Sequence, residues 1–408
     1  MSVSAHKDAD RPSTLEIRRR QAETLAARLR EPRRQLQVVA GPRQVGKTTI
    51  IRQVLADHGT RAHYASADDA LLADRTWLTQ QWRIARDLAR GEEAVLAIDE
   101  VQRVARWAEA VKALWDEDSR QGTALKVVLS GSAPLLVGHG LGESLAGRFE
   151  RVVVPQWTLA ETQAAFGHSV DEFIAYGGYP GAAHLIGAPS RWTQYVRDAL
   201  IEATVSRDVL QLERVDHPAL LRRLFDLAAA YAGQELSLTK ILGQLQDRGN
   251  ASTLAWYLEL LAGAGMACGL QKYAEQPVRQ RASSPKLAVF APALRTAVLG
   301  EPLEAMRRDP EAWGRQVEAA IIAHALGAAA GTDVRVWWWR ERDREVDLVL
   351  ERGRSLVALE VKSGARRRAM PGLTAFCKAH PRAQPMLVGD GGVPVAEFLA
   401  SDVDRWFA

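Results

Sequence analysis

Cysteine is almost absent from this 408-residue chain: Cys268 and Cys377 are the only two, far apart and without metal-ligand spacing. That excludes a disulfide framework and a cysteine-based zinc site. Long apolar runs are missing too. The most apolar stretch, Ala319 to Ala330, is shorter than the roughly 18 residues of a membrane span and contains His324. The N-terminal MSVSAHKDADRPS has no apolar signal core and reads as a disordered tail, so a soluble cytoplasmic protein is expected. No sign of charge dominates either: a net +4 permits a polyanionic partner without requiring one. What is present, 47% hydrophobic and 25% charged residues, is ample core-forming material, and the length predicts two to four domains.

The stretch Gln35 to Thr49, QLQVVAGPRQVGKTT, organises the rest. A short apolar strand (Leu36, Val38, Val39, Ala40) runs into the loop Gly41, Pro42, Arg43, Gln44, Val45, Gly46, Lys47, Thr48, and a helix can continue from Thr49. This is the phosphate-binding P-loop pattern in its strand–loop–helix context. Gly41 and Gly46 permit a tight turn whose amides face phosphate, and the helix adds its positive dipole end. Lys47 would reach the β- and γ-phosphates of ATP, and the Thr48 hydroxyl would ligate Mg²⁺.

About fifty residues on, Ala94-Val-Leu-Ala-Ile-Asp99-Glu100 is a buried strand closed by two carboxylates. Asp99 suits the Mg²⁺ shell, and Glu100 suits a base polarising the attacking water. Both halves in this order point to ATP hydrolysis. Leu125 to Ser132 predicts another buried strand, with Ser130 or Ser132 either sensing γ-phosphate or simply making a turn. Arg148 is either a surface residue or an arginine finger, in cis or across a subunit boundary. Arg18, Arg19, Arg20, Arg28 and Arg30 on an early helix, with Arg33 and Arg34, either touch phosphates or form a solvated face.

From Val170 to about Ala230 the periodicity is helical, broken by a turn at Tyr176-Gly-Gly-Tyr-Pro-Gly181 and carrying Arg207-Asp208 as an ion pair or a further sensor. Leu236 to Phe290 predicts two short helices and two extended segments, a winged helix-turn-helix. Its second helix exposes Thr253, Trp256 and Glu259; the basic residues Arg279, Arg281 and Lys286 fall in the wing. DNA binding and a purely structural role both remain open for it.

The last segment carries a second chemistry. Glu345-Val-Asp347-Leu-Val-Leu and Leu356-Val-Ala-Leu-Glu360-Val-Lys362 predict a hairpin that brings Asp347 near Glu360, with Glu360 and Lys362 on one face. Such a group can hold Mg²⁺ and orient water against a phosphodiester, and Glu318 on the preceding helix could complete the metal shell. The competing reading is an ordinary cross-strand ion pair. Arg340, Arg342 and Arg344 before it, and Arg366, Arg367 and Arg368 after it, make the most basic rim of the chain.

Taken in order, GPRQVGKTT, AIDEVQR, LSGSAPLL, SLAGR, YGGYPGA, REVDLVL and ALEVKSG resemble the bacterial and archaeal AAA-type ATPases that end in a restriction-endonuclease-like domain of unassigned function. The resemblance implies an α/β fold: a P-loop core, a helical lid, a winged-helix module and a C-terminal PD-(D/E)XK-like domain. The corresponding boundaries are a tail 1–16, then 17–165, 166–230, 231–296 and 297–408. It makes Lys47, Thr48, Asp99 and Glu100 the ATPase residues and Asp347, Glu360 and Lys362 a nuclease-like triad. It also implies a homo-oligomeric ring.

Three functions compete: an ATP-driven motor acting on duplex, branched or single-stranded DNA by shape rather than sequence; a nucleotide switch that binds a protein partner; and an ATP-gated, Mg²⁺-dependent nuclease.

Overall fold

The computed structural model describes residues 17–58, 61–131, 144–210, 215–245, 250–275, 283–362 and 370–408, without the side chains of Arg207 and Asp208. The expected tail, Ser132, Arg279, Arg281 and Arg366 to Arg368 lie outside the described residues, as do the side chains of the Arg207-Asp208 pair. The chain forms two compact units, Met1–Val154 and Pro155–Ala408.

In the first unit, β1 (Leu36–Ala40), β2 (Ala62–Ser66), β3 (Ala94–Asp99), β4 (Leu125–Gly131) and β5 (Phe149–Val153) make one sheet in the order β2-β3-β4-β1-β5. Every pairing is parallel. Helices on both faces explain why these strands read as apolar runs rather than alternating ones. Period 2 divides their side chains: Leu36, Val38, Leu96, Ile98, Val127 and Leu129 pack on one face with α3 (Arg75–Ala89) and α4 (Trp107–Gln121). Val39, Val95, Ala97 and Val128 pack on the other with α1 (Arg20–Arg30) and α2 (Lys47–Ala56). Between α3 and α4 the wholly buried Asp118 accepts hydrogen bonds from Trp82 Nε1 at 2.7 Å and Arg86 Nε at 2.6 Å. A buried carboxylate is tolerated because both oxygens are satisfied.

The second unit is helical up to a mixed four-stranded sheet. Helices Val170–Tyr176, Pro189–Tyr195, Pro218–Ala230, Leu238–Leu245 and Ala251–Gly263, with π-helical turns at Val196–Val209, lead to the antiparallel pair β6 (Ala267–Leu270) and β7 (Lys286–Val289). The long helix Pro310–Ala329 then precedes β8 (Arg335–Glu341), β9 (Arg344–Arg352), β10 (Ser355–Lys362) and β11 (Ala383–Gly389), ordered β11-β10-β9-β8. The β8–β9 and β9–β10 pairs are antiparallel, and β10–β11 is parallel.

Buried hydrogen bonds tie these segments together: Gln316 Nε2 donates to Ile174 O at 2.8 Å, Arg295 Nη1 to Gln316 Oε1 at 2.6 Å, and Thr296 Oγ1 to Ala175 O at 2.5 Å. Segments 166–230, 231–296 and 297–408 therefore share one compact unit. Among the described residues no helix is long and apolar enough to cross a membrane.

Candidate functional site

The P-loop leaves β1 at its C-terminal end and enters α2 through Gly46, whose φ of +93° suits glycine. Gly41 is needed for a different reason: a Cβ there would stand 2.1 Å from the carbonyl oxygen of Val154, which follows β5. Val154 N–H in turn donates to Ala40 O at 2.8 Å, so loop and strand are pinned together. Lys47 is buried, and its Nζ donates to Gly41 O at 2.9 Å and Pro42 O at 2.7 Å. Arg19, only 3% exposed, donates to Val45 O at 2.9 Å and supports the loop from beneath.

Asp99 ends β3 beside α2 and is 3% exposed. One of its oxygens accepts from Thr48 Oγ1 at 2.6 Å and from the Tyr64 hydroxyl at 2.9 Å; the other accepts from Glu100 N–H at 3.1 Å and from Ser130 Oγ. Four donors fix the carboxylate's orientation and offset its burial. Burial, reinforced by Asp99, pushes the Tyr64 phenol up to about 12, so it remains a donor. Glu100 sits in the left-handed region at φ +52°, and its Oε2 accepts from Gln102 Nε2. This left-handed residue follows β3 and leads into a single 3-10 turn, Val101–Arg103.

The donor set fits Mg²⁺ and a nucleotide: a hydroxyl and a carboxylate adjoin the start of a ten-residue helix with a buried lysine beside it.

The second group lies in the second unit. Asp347 on β9 accepts the Val361 N–H at 2.8 Å, and Lys362 Nζ lies 2.5 Å from Glu360 Oε1. Lys286, at the start of β7 and 0% exposed, reaches into the same cluster. Its Nζ lies 2.7 Å from Glu318, 3.0 Å from Glu345 and 3.6 Å from Asp347. Burial alone would lower the lysine's pKa; Glu318, Asp347 and Glu345 together outweigh it and hold the ammonium above its ordinary value. Burial raises the Glu318 carboxyl to about 7 against the pull of Lys286. It also raises Glu360, helped by Asp347.

The metal shell expected from Asp347, Glu360 and Glu318 does not fit this arrangement. An ammonium stands among the carboxylates, and among the described residues no three acidic, His or Cys side chains are set to hold an ion. Lys286 is likewise no surface residue of a wing.

Residues 33–163 match the model of an AAA domain family (AAA_14). These residues carry an AAA-type P-loop ATPase domain. Residues 167–304 and 313–397 match two domains of unknown function, DUF8612 and DUF4143. No curated protein matches the chain.

Among solved structures, the chain is similar to the Walker-type ATPase PABY2304 of Pyrococcus abyssi, at 15% identity and TM-score 0.48, over 71% of this chain and 98% of that one. It is similar also to the RuvB Holliday junction branch migration motor of Thermotoga maritima, at 20% identity and TM-score 0.33, over 65% and 93% of the two chains. A third is the Orc1 protein of Aeropyrum pernix in complex with DNA, at 14% identity and TM-score 0.30, over 71% and 92%.

Within the AAA domain the structure gathers Lys47, Thr48, Asp99, Glu100 and Ser130 at one edge of the sheet, with Thr49 in the first turn of α2. Arg148 is not with them. It precedes β5 at the opposite edge, roughly 16 Å of strand from the P-loop at about 3.3 Å per residue. There it is paired with Asp116 at 2.9 Å and 3.2 Å, so a contact with nucleotide in cis is not made from this position.

Of the early arginines, read either as touching phosphates or as a solvated face, Arg19 and Arg33 bond backbone carbonyls: Arg33 donates to Leu125 O and lies 3.5 Å over the Trp115 ring. Arg18 pairs with Asp57 at 2.7 Å. Sequence reasoning missed Tyr64 and Gln102, and it named Arg19 without its bond to the P-loop backbone. Tyr64 alone left a trace, as the large polar residue in the strand preceding the Asp99 strand.

Proposed function

We propose that the chain is an ATP-hydrolysing, ring-forming motor acting on DNA. The observation that carries the hydrolytic part is the convergence of Thr48, Tyr64, Ser130 and Glu100 N–H on Asp99, one side chain from the P-loop lysine. Lys47 Nζ would exchange the carbonyls of Gly41 and Pro42 for phosphate oxygens, and the α2 amides would bind the β-phosphate. Thr48 and Asp99 would hold Mg²⁺, which when bound neutralises phosphate charge. The Glu100 carboxylate, oriented by Gln102, would accept a proton from the attacking water.

Exposed Arg342 and Arg344 at the β8–β9 turn support the DNA part. The mixed β8–β11 sheet, bearing Asp347 and Glu360 on neighbouring strands, supports a restriction-endonuclease-like fold for the C-terminal segment.

A second reading, a switch that binds a protein partner, is favoured by one observation: the Lys286 ammonium stands among the carboxylates of the nuclease-like centre. Steady-state ATP hydrolysis with duplex, single-stranded and four-way-junction DNA at two salt concentrations separates the two. Stimulation by DNA that weakens steeply with salt supports the motor. Hydrolysis indifferent to every DNA form transfers the reading to the switch.

A further inference from the structure

The carboxylate centre of the second unit holds a cation of its own. Lys286 does not belong to the β8–β11 sheet; it arrives from β7, where its backbone is gripped on both sides. It pairs with Leu270 of β6 on one edge and forms a bridge with Glu235 on the other. Neighbouring backbone bonds reinforce that second edge: Gly233 N–H to Leu287 O at 2.8 Å, Leu287 N–H to Gln234 O at 2.9 Å, and Leu236 N–H to Pro285 O at 3.1 Å. This pairing fixes the backbone from which the fully buried side chain enters the centre, so the fold itself carries the ammonium there.

The carboxylates around it are only partly exposed, Glu318 at 22%, Glu345 at 31% and Asp347 at 17%. A Cβ at Gly233 would stand 3.2 Å from Glu318 Oε1, so backbone covers that carboxylate. Glu345 is additionally approached by Arg340 at 3.8 Å, and Glu360 is engaged by Lys362 at 2.5 Å. A fully buried ammonium is stable only where carboxylates surround it, and those carboxylates need a cation to share the site at all. Lysine and carboxylates therefore satisfy one another, and a divalent ion would have to enter against the lysine's charge.

We propose that the Lys286 ammonium is the resident cation of this centre, standing where a divalent metal would otherwise lie between Glu318, Glu345 and Asp347 and closing the centre to metal. The C-terminal domain would then lack metal-dependent phosphodiester hydrolysis even with Asp347, Glu360 and Lys362 in place. This concerns the second unit only and stands or falls separately from ATP hydrolysis.

The test is Mn²⁺ binding to nucleotide-free full-length protein, followed by electron paramagnetic resonance of the free ion. Wild type and Asp347→Asn should bind the same number of Mn²⁺ ions. Lys286→Met should gain one ion per chain, and Lys286→Met/Asp347→Asn should lose it again. A wild-type Mn²⁺ site that vanishes in Asp347→Asn would overturn the proposal. So would a Lys286→Met protein, folded by circular dichroism, that gains no ion. Should Lys286→Met fail to fold, the wild-type comparison with Asp347→Asn decides alone.

Discussion

Replacing Gly41 by alanine tests how the P-loop is held. The added Cβ would meet Val154 O at 2.1 Å and Val154 C at 3.1 Å, and both are backbone atoms rather than the tip of a flexible side chain. Val154 cannot yield freely, because its N–H is bonded to Ala40 O at 2.8 Å, one residue before the substitution. Loop and strand must part by about 1 Å in a close-packed interior.

Overpacking of this kind costs about 1–3 kcal/mol, which lowers the melting temperature of a unit this size by about 3–10 °C. A 1 Å displacement of the amides that face phosphate should also weaken nucleotide binding and slow hydrolysis by about 100-fold. Gly122→Ala is the control: its φ of +68° carries a left-handed penalty, yet nothing lies within 4 Å of its Cβ. That variant should lose about 1 kcal/mol and bind nucleotide normally. Titration with a fluorescent ATP analogue and a thermal melt read both effects. Wild-type affinity and an unshifted melt for Gly41→Ala would refute the packing argument.

Three more outcomes are expected. Tyr64→Phe removes one of four donors to Asp99; a hydrogen bond to a charged group is worth about 1.5–3 kcal/mol, so hydrolysis should fall about tenfold, partly recovered by raising Mg²⁺, whereas a merely structural tyrosine would give no Mg²⁺ dependence. Asp118→Asn leaves the Arg86 charge without its buried partner, softened by Glu117 at 2.9 Å; the urea midpoint should drop by an amount equivalent to about 2–4 kcal/mol. His324, buried against Phe398 and Trp406, is held down to about 4 by burial, against the bond to Ser401 O. Its folded-state value lies below the ordinary one, so its stabilisation is complete above about pH 6.5 and is lost as pH falls toward 4. Acid titration of wild type against His324→Gln should show that loss only in wild type.

The nucleotide half of the molecule was legible because its signals are local. Fifteen contiguous residues from Gln35 to Thr49 contain strand, loop and helix, and the Asp99 strand announces itself by an apolar run ending in carboxylates. The parallel sheet that joins them required only that both strands end on the same edge. Side chains that reach across strands were not legible: Tyr64 meets Asp99 from β2, and Arg19 meets Val45 from ahead of α1.

Lys286 shows the limit most clearly. Its partners Glu318, Glu345 and Asp347 are 32, 59 and 61 residues away, the last two separations appearing as long-range contacts of its ammonium. A lysine opening the run Lys-Leu-Ala-Val reads equally well as a basic wing residue. Only tertiary pairing shows it to be buried. Arg148 is open in the sequence between a surface residue and a finger, in cis or across a subunit boundary; the start of β5 lies at the edge away from the P-loop, where Asp116 pairs it, which speaks against the finger in cis alone.

The most direct test of the central claim is steady-state ATP hydrolysis by wild type, Glu100→Gln and Lys47→Ala, with ATP binding measured in parallel. Wild type should turn over ATP in a Mg²⁺-dependent manner, and Glu100→Gln should keep binding ATP while hydrolysis falls by about 100-fold or more. Lys47→Ala should lose binding itself. Hydrolysis by Glu100→Gln at the wild-type rate would contradict the account.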